Sequence, residues 1–405
     1  MTEQQQQEQQ KLQKGKSYIT VVGTAKVTDK TFAINEQSKH SDYQYSRMGL
    51  GIETVEGNVV FGEMMGGFSP SMNYPIKAKT KLKDGESGKA QSVEINWADR
   101  LNESIVETIR DYDTIRIGLI RDGEEPAEGQ EDKRKLIVKK FLSAYDAIDY
   151  IQENLKDGMK IMAKGSYKFS KYKEEDQKKF EIESIFLSRS EEGFANFVQT
   201  IILDEDSVSK ASLKDAKETG EIIVSARAVD YVGKINGKKV GKNMTFDLPI
   251  TVKIDKENPA LTEAIISKFF KVKKGKVREI TIEGQILEGY EQSQVSEKDV
   301  QMSKDIQELI AMGLYSKEEA MEKVTVRGNK VSKLLFTRPF IQKDKEDAKK
   351  ILLDINDDKY VPEDLFVEIE EEKEEEKIDL NSLADEEEKS NAGDNSWLAG
   401  LGLGQ

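Results

Sequence analysis

The chain has 405 residues, 37% hydrophobic and 34% charged, which is long enough for two or three domains with cores of their own. It has no cysteine, which excludes disulfides and thiolate metal sites, and its single histidine, His40, argues against histidine-based catalysis and multi-histidine metal sites. No apolar run reaches the length of a membrane-spanning helix, and the polar N-terminus lacks the apolar core of a secretory signal. We therefore expect a cytoplasmic protein that is not an enzyme and needs no cofactor.

The net charge of −14 is unevenly distributed. Residues 363–405 contain fifteen acidic residues and three lysines, so residues 1–362 carry a net charge of only about −2. A body so close to neutrality can present basic faces although the whole chain is acidic.

The first half of the chain is dominated by short β-type runs. Residues 1–16 form a glutamine-rich leader that we expect to be disordered, and runs such as "SYITVVGTAKV" and "GNVVFGEMM" follow it. One helix interrupts them. Ser143 is its predicted N-cap, Asp146 follows three residues later, and Gly158 ends it. This order of elements predicts a barrel-like domain with a helix before its fourth strand.

The second half repeats this order. Asn236-Gly237 predicts a β-hairpin, and Asn258 with Pro259 predicts the start of a helix that precedes another strand. The predicted fold class is mostly β with a few helices (α+β), as tandem OB-like antiparallel barrels with a disordered acidic C-terminal tail. The predicted segments are an OB-like domain at 17–190, a connector at 191–219, a second OB-like domain at 220–342 with a helical insert near 303–323, a short helical segment at 343–366, and the tail at 367–405.

Three basic stretches without acidic residues are the candidate nucleic-acid contacts. Lysines can neutralise phosphates, and interleaved aromatic rings can stack on bases. The alternative is that the lysines only solubilise exposed hairpins while Tyr167 or Phe169 packs inside. The candidate residues are Lys164, Tyr167, Lys168, Phe169, Lys171, Tyr172 and Lys173 in the first stretch, Lys234, Lys238, Lys239 and Lys242 in the second, and Lys273, Lys274, Lys276 and Arg278 in the third.

A fourth candidate lies early in the chain, in "SDYQYSRMGLG". Tyr43, Tyr45 and Arg47 alternate, so on a strand they share one face. Two tyrosines and an arginine on one face suit the stacking of bases. A tyrosine-rich, half-buried sheet face would have the same pattern.

The C-terminal tail combines a long acidic run with an apolar end. Its charge density predicts disorder. The end of the chain, with Trp397, Leu398, Leu401 and Leu403, could fold on a partner protein. The alternative is a strap that docks on the body of the same chain.

These features together resemble the OB-fold single-stranded DNA-binding proteins of bacteria and phages, which combine basic, aromatic barrels with an acidic C-terminal tail. The resemblance implies non-specific binding of single-stranded DNA in phage replication, recombination or repair, with self-association on DNA. It also implies a tail that recruits replication or recombination proteins and competes with DNA. In that family an acidic run directly precedes a terminal phenylalanine, whereas this chain ends in "SWLAGLGLGQ".

Three other functions remain open at this stage. A phage structural or assembly protein could use the acidic tail as an interaction arm. A single-stranded RNA-binding protein would need the same surface. A carboxylate-metal nuclease would have to use pairs such as Asp111 with Asp113 or Asp204 with Asp206.

Overall fold

The computed structural model describes residues 12–72, 74–82, 90–123, 134–172, 175–235, 238–292, 306, 310–312, 327–344 and 349–365. The fold is mostly β with a few short helices, which confirms the predicted class. Most strands belong to one continuous hydrogen-bonded network.

The strands found in the described residues are numbered in chain order. They are β1 (Ser17–Lys26), β2 (Phe32–Gln37), β3 (Gln44–Val55), β4 (Asn58–Phe68), β5 (Ile76–Lys79), β6 (Ser92–Ile95), β7 (Ile115–Arg121), β8 (Leu136–Phe141), β9 (Lys160–Tyr172), β10 (Glu175–Leu187), β11 (Phe194–Leu203), β12 (Glu221–Val224), β13 (Arg227–Ile235), β14 (Lys238–Asp247), β15 (Ile250–Lys253), β16 (Arg278–Gln292), β17 (Arg327–Pro339), β18 (Ile341–Lys343), β19 (Ile351–Leu353) and β20 (Ile355–Asn356). The α-helices described are α1 (Glu103–Val106), α2 (Ala144–Asn154), α3 (Lys210–Thr219) and α4 (Pro259–Ile265), and short 3₁₀ or π segments lie at Trp97–Asp99, Asp111–Asp113, Ile266–Phe270 and Pro362–Leu365.

Barrel 1 is a closed ring of five strands. β1 pairs with β3, β3 with β4, β4 with β10, β10 with β9, and β9 with β1. Only the β4–β10 pairing in this ring is parallel. Numbered within the barrel, the order is 1-2-3-5-4-1, and α2 precedes the fourth strand as in an OB fold. The Ser143 hydroxyl caps α2 by accepting from the backbone N–H of Tyr145, as the sequence predicts.

Barrel 2 repeats this order. β11 pairs with β13 and β16, β13 with β14, β16 with β17, and β17 in parallel with β15. β14 and β15 are two halves of one bent strand, separated by residues 248–249. The helix α4 begins with Pro259 after the Asn258 cap and precedes the fourth strand, β16.

The two barrels are joined through their first strands. β1 pairs antiparallel with β11 from Ser17 opposite Gln199 to Val22 opposite Phe194. A second junction is made by Asn58, whose side-chain oxygen accepts from the backbone N–H of Glu288 at 2.7 Å. The barrels therefore share one hydrogen-bonded sheet.

Barrel 1 carries an insertion between β4 and α2. In it β5 pairs with β6, and Ala78, Ile95 and Ile109 form a small core of their own. β7 pairs with β8 and, in parallel, with β10. β10 pairs with β4 at Glu181 and with β7 from Ser184, and the register shift between Ile182 and Ser184 lies where the pairing changes from one strand to the other.

Three predicted segments differ from the structure. The predicted connector 191–219 contains β11 and α3, and β11 is the first strand of barrel 2. The predicted disordered leader is ordered from residue 12, where Lys14 pairs with Asp230 at 2.6 Å. In its described residues, the predicted helical segment 343–366 contains the strands β19 and β20 and a 3₁₀ turn at Pro362–Leu365, and Ile351–Leu353 pairs with β18. The helical insert predicted near 303–323 lies almost wholly outside the described residues.

Candidate nucleic-acid interface

The structure brings Tyr43, Tyr45 and Arg47 together at the start of β3. The two tyrosine rings are stacked, with centroids 6.2 Å apart and planes 16° from parallel. Arg47 is exposed and lies opposite Met65 on β4. A methyl group at Gly67 would lie 2.2 Å from the backbone oxygen of Gln44 and 2.8 Å from Cζ and Oη of Tyr43, so the glycine leaves room for the neighbouring strand and for this side chain.

The exposed surface continues onto β4, where the sequence interpretation named no site residue. Phe61 is 48% exposed and Met65 is 55% exposed. They occupy alternate positions from the buried Val60 and Met64, and that alternation is the sequence signal that could have found them. We call Tyr43, Tyr45, Arg47, Phe61 and Met65 the platform.

Tyr167 and Phe169 of the first basic stretch face the interior, which corrects their predicted stacking role. Tyr167 is 2% exposed and Phe169 is 7% exposed. Phe169 stacks on Phe246 of barrel 2, with ring centroids 5.5 Å apart. Burial raises the pKa of Tyr167 well above its usual value. Rings buried between the barrels cannot stack on a base.

The lysines of the first stretch gain acidic partners from β10, the neighbouring strand. Lys168 pairs with Glu181 at 3.3 Å and Lys171 pairs with Asp176 at 2.9 Å. Lys164 is exposed and has no ion pair among the residues that the structure describes. Tyr172 is described only as part of the β9 backbone, and Lys173 lies outside the described residues.

The second basic stretch keeps its positive charge. Lys234 and Lys239 lie directly opposite each other on the β13–β14 hairpin, and Lys242 lies opposite Val232. Within the described part of the chain these three lysines form no ion pair, and like charges in register repel each other unless an anion lies between them. Lys238 is the first residue of β14, and the structure describes only its backbone.

Tyr231 adds an aromatic ring to this hairpin, and the sequence interpretation missed it. Its side chain is 58% exposed. Methyl groups at Gly233 and Gly241 would lie 3.9 Å and 3.7 Å from atoms of the tyrosine side chain, so both glycines lie beside it. An exposed aromatic residue within a strand of alternating burial was the available signal.

The third basic stretch is divided between free and structural cations. Lys273 and Lys274 are exposed on a turn that Gly275 permits with φ +68°, and Lys276 lies 3.3 Å from Asp358. Arg278 instead makes two hydrogen bonds to Asp357, at 2.6 and 2.8 Å, and donates to the Lys268 carbonyl oxygen at 2.8 Å. The carboxylate raises the pKa of Arg278, and the guanidinium lowers the pKa of Asp357. Arg278 therefore has a structural role, and its predicted role as a nucleic-acid contact is corrected.

The first and second stretches lie on adjacent hairpins, which the buried side chain of Asp230 connects. Its Oδ2 accepts from the backbone N–H of Phe169 at 3.1 Å, and its Oδ1 accepts from the Lys14 ammonium at 2.6 Å. Asp176 of β10 also accepts from the backbone N–H of Asp247 at 2.8 Å. These contacts hold the β9–β10 hairpin against the base of the β13–β14 hairpin.

The described residues offer little to a nuclease mechanism. They contain no cluster of three or more histidines or carboxylates that could hold a metal ion. Asp113 pairs with Arg110 at 2.8 Å and Asp204 with Arg227 at 2.5 Å, so cations neutralise these carboxylates. Across the same residues, no helix is long and apolar enough to cross a membrane. The tail residues Trp397, Leu398, Leu401 and Leu403 lie outside the described part.

The strand order and the exposed faces define a protein of two tandem OB-like barrels with an aromatic platform and a lysine-rich hairpin. Residues 126–334, just over half of the chain, match the family model described as YorF, and the chain belongs to the YorF family. No curated protein matches this chain.

Two solved structures of the single-stranded DNA-binding protein from Thermus aquaticus are similar at a low level. A deletion and point mutant matches with a TM-score of 0.29 and 9% identity, covering 82% of this chain and 99% of that one. The wild-type protein matches with a TM-score of 0.28 and 10% identity, covering 68% and 87%. Scores in this range do not establish a common fold, so the barrel assignment rests on the strand pairing.

Proposed function

We propose that this protein binds single-stranded DNA without sequence specificity. The observation that carries the proposal is the platform, which occupies the outer face of the second and third strands of a five-stranded barrel. That face is the one that OB folds use for oligonucleotides. The proposal describes a binding protein and not an enzyme.

Each part of the surface has a chemical role in this proposal. The rings of Tyr43 and Tyr45 stack on successive bases, which contributes about 1–3 kcal/mol for each base regardless of its identity. Arg47 lies beside the rings and contacts the phosphate backbone. Lys234, Lys239 and Lys242 neutralise further phosphates, so affinity falls with salt.

The biological setting follows from the same proposal. The protein protects single-stranded DNA during phage replication or recombination in the cytoplasm of a bacterial host, where a chain without cysteine suits the reducing conditions. Its C-terminal segment recruits partner proteins through the apolar residues at the end, since a short apolar element on a charged leader can fold on a partner.

The test is fluorescence anisotropy of labelled oligo-dT with the full chain over a salt series. We expect tight binding at 50 mM salt that weakens steeply towards 200 mM, and strong loss in a Tyr43→Ala, Tyr45→Ala variant. The matched control is Tyr112→Ala, because Tyr112 is 91% exposed on the insertion of barrel 1. Absence of binding at every salt concentration would contradict the proposal and favour a structural or assembly protein. Equal or tighter binding of oligo-U would assign the surface to RNA.

A further inference from the structure

Four charged side chains form an alternating pattern on the outer face of barrel 1. Glu63 on β4 lies 3.0 Å from Lys179 on β10, and Glu181 on β10 lies 3.3 Å from Lys168 on β9. In the register of the strands, Glu181 is opposite Glu63 and Lys179 is opposite Lys168. The repulsion within each like-charge pair is thus offset by an ion pair with a neighbour of opposite charge. We call these four residues the ion-pair ladder.

The ion-pair ladder begins within the platform, because Glu63 lies between Phe61 and Met65 on the outer face of β4. Glu63 is two residues from Met65 on the same face of β4, and it lies opposite Gly49, where an added methyl group would meet no atom within 4 Å. At the other end, Lys168 precedes Phe169, whose backbone N–H donates to Asp230 on β13 of barrel 2 at 3.1 Å. The ladder therefore runs on the outer surface from the platform towards the base of the β13–β14 hairpin.

The ion pairs of the ladder are exposed enough to exchange partners. The four side chains are between 37% and 51% exposed. Ion pairs with this exposure contribute little to stability, because water already solvates both charges well. A phosphate group of similar charge can therefore compete with either glutamate for its lysine.

We propose that Glu63 and Glu181 are built-in competitors of the DNA phosphates at Lys179 and Lys168. In the free protein the glutamates neutralise the two lysines. When a strand leaves the platform towards barrel 2, its phosphates take over the lysines and the carboxylates turn to solvent. The glutamates thereby keep affinity moderate, and the two lysines extend the DNA path across β10 and β9. This inference rests on the proposed function.

The test uses the full chain with Glu63→Gln and Glu181→Gln together. Displaced carboxylates stay within a Debye length of the strand, so the wild-type ladder is neutral on average, whereas the variant presents two uncompensated lysines. We expect several-fold tighter binding of oligo-dT at 50 mM salt. We also expect a log–log salt slope steeper by up to about 1.4, at about 0.7 for each phosphate neutralised on a single strand.

The matched control removes two glutamates whose lysine partners lie elsewhere. Glu94 pairs with Lys77 at 3.6 Å in the insertion, and Glu221 pairs with Lys333 at 2.8 Å in barrel 2. Glu94→Gln with Glu221→Gln should bind like wild type. Lys168→Gln with Lys179→Gln should bind more weakly than wild type.

Two results would overturn the inference. One is equal tightening by both glutamate double variants, which would reduce the effect to overall charge. The other is an unchanged affinity and slope in the Glu63→Gln, Glu181→Gln protein. Either result would leave the wild-type binding of DNA intact, whereas a wild-type chain that binds no oligo-dT would contradict the proposed function itself.

Discussion

Replacement of Phe169 by alanine should destabilise the fold and leave the platform in place. The ring is 7% exposed, stacks on Phe246 across the barrel junction, and lies beside buried Asp230. Loss of a buried phenylalanine costs about 3–5 kcal/mol, from the lost apolar burial and the cavity that remains. At about 2–4 °C for each kcal/mol, the figure for a domain of about 150–250 residues such as one barrel with its insertion, the melting temperature should fall by about 6–20 °C.

The converse variant is Tyr45→Ala, on the platform, where the ring is half-buried and stacks on Tyr43. It should melt close to wild type and lose about 1–3 kcal/mol of binding to oligo-dT, which is about 5- to 150-fold in affinity. Thermal unfolding and anisotropy at a temperature where both variants are folded separate the two effects. The assignment of Phe169 to the interior is refuted if Phe169→Ala melts like wild type and loses DNA affinity to the extent that Tyr45→Ala does.

Three further predictions address the charged groups. Lys234→Glu with Lys239→Glu should weaken oligo-dT binding and flatten the salt slope by about 1.4. The matched control, Lys214→Glu with Lys217→Glu at exposed positions on α3, should change the affinity and the slope less, and equal effects would contradict a contact between the hairpin and DNA. Arg278 lowers the pKa of the Asp357 carboxyl, so this ion pair stabilises the fold at neutral pH and is lost as the pH falls below about 4 through the folded-state pKa. Asp357→Asn should therefore flatten the acid limb of the urea midpoint against pH, and an unchanged limb would count against the pair. Deletion of 367–405 removes a strongly acidic segment and should tighten DNA binding. Equal or weaker binding would contradict the predicted competition between the tail and DNA.

Local signals in the sequence were sufficient to predict the repeated order of elements. The Ser143 cap with the helical spacing of Ala147, Ile148 and Ile151 predicts α2, and all three of these residues are buried. Asn258 and Pro259 predict α4 in the same way. Each helix comes directly before a long strand, so the barrel order could be inferred before any pairing was known.

β11 has two halves with different burial patterns. Exposed Phe194 and Asn196 alternate with buried Ala195 and Phe197, as in a half-buried strand. From Gln199 to Leu203 every residue is buried, and this half pairs with β16 and β13 of barrel 2. The prediction of a connector there was wrong, and the alternation followed by the short apolar run was the available signal.

The site was harder to predict because a stretch without acidic residues in the sequence can lie beside acidic residues of another strand in the fold. Lys168 and Lys171 have no acidic neighbour in their own stretch, but β10 folds back and brings Glu181 and Asp176 to them. The inward direction of Tyr167 was available from its alternation with Ile161 and Ala163, which are fully buried. The pairing of distant strands was not available from one sequence.

The most direct test of the account is ultraviolet crosslinking of oligo-dT to the full chain, followed by peptide mapping. We expect crosslinked nucleotides on the peptides that contain Tyr43 with Tyr45 and Tyr231, because the half-buried, stacked pair lies beside exposed Arg47 and Tyr231 is exposed beside the hairpin lysines. Crosslinks confined to Tyr112 or other residues of the insertion, or no crosslink at low salt, would contradict the central claim that the platform and the hairpin bind the strand.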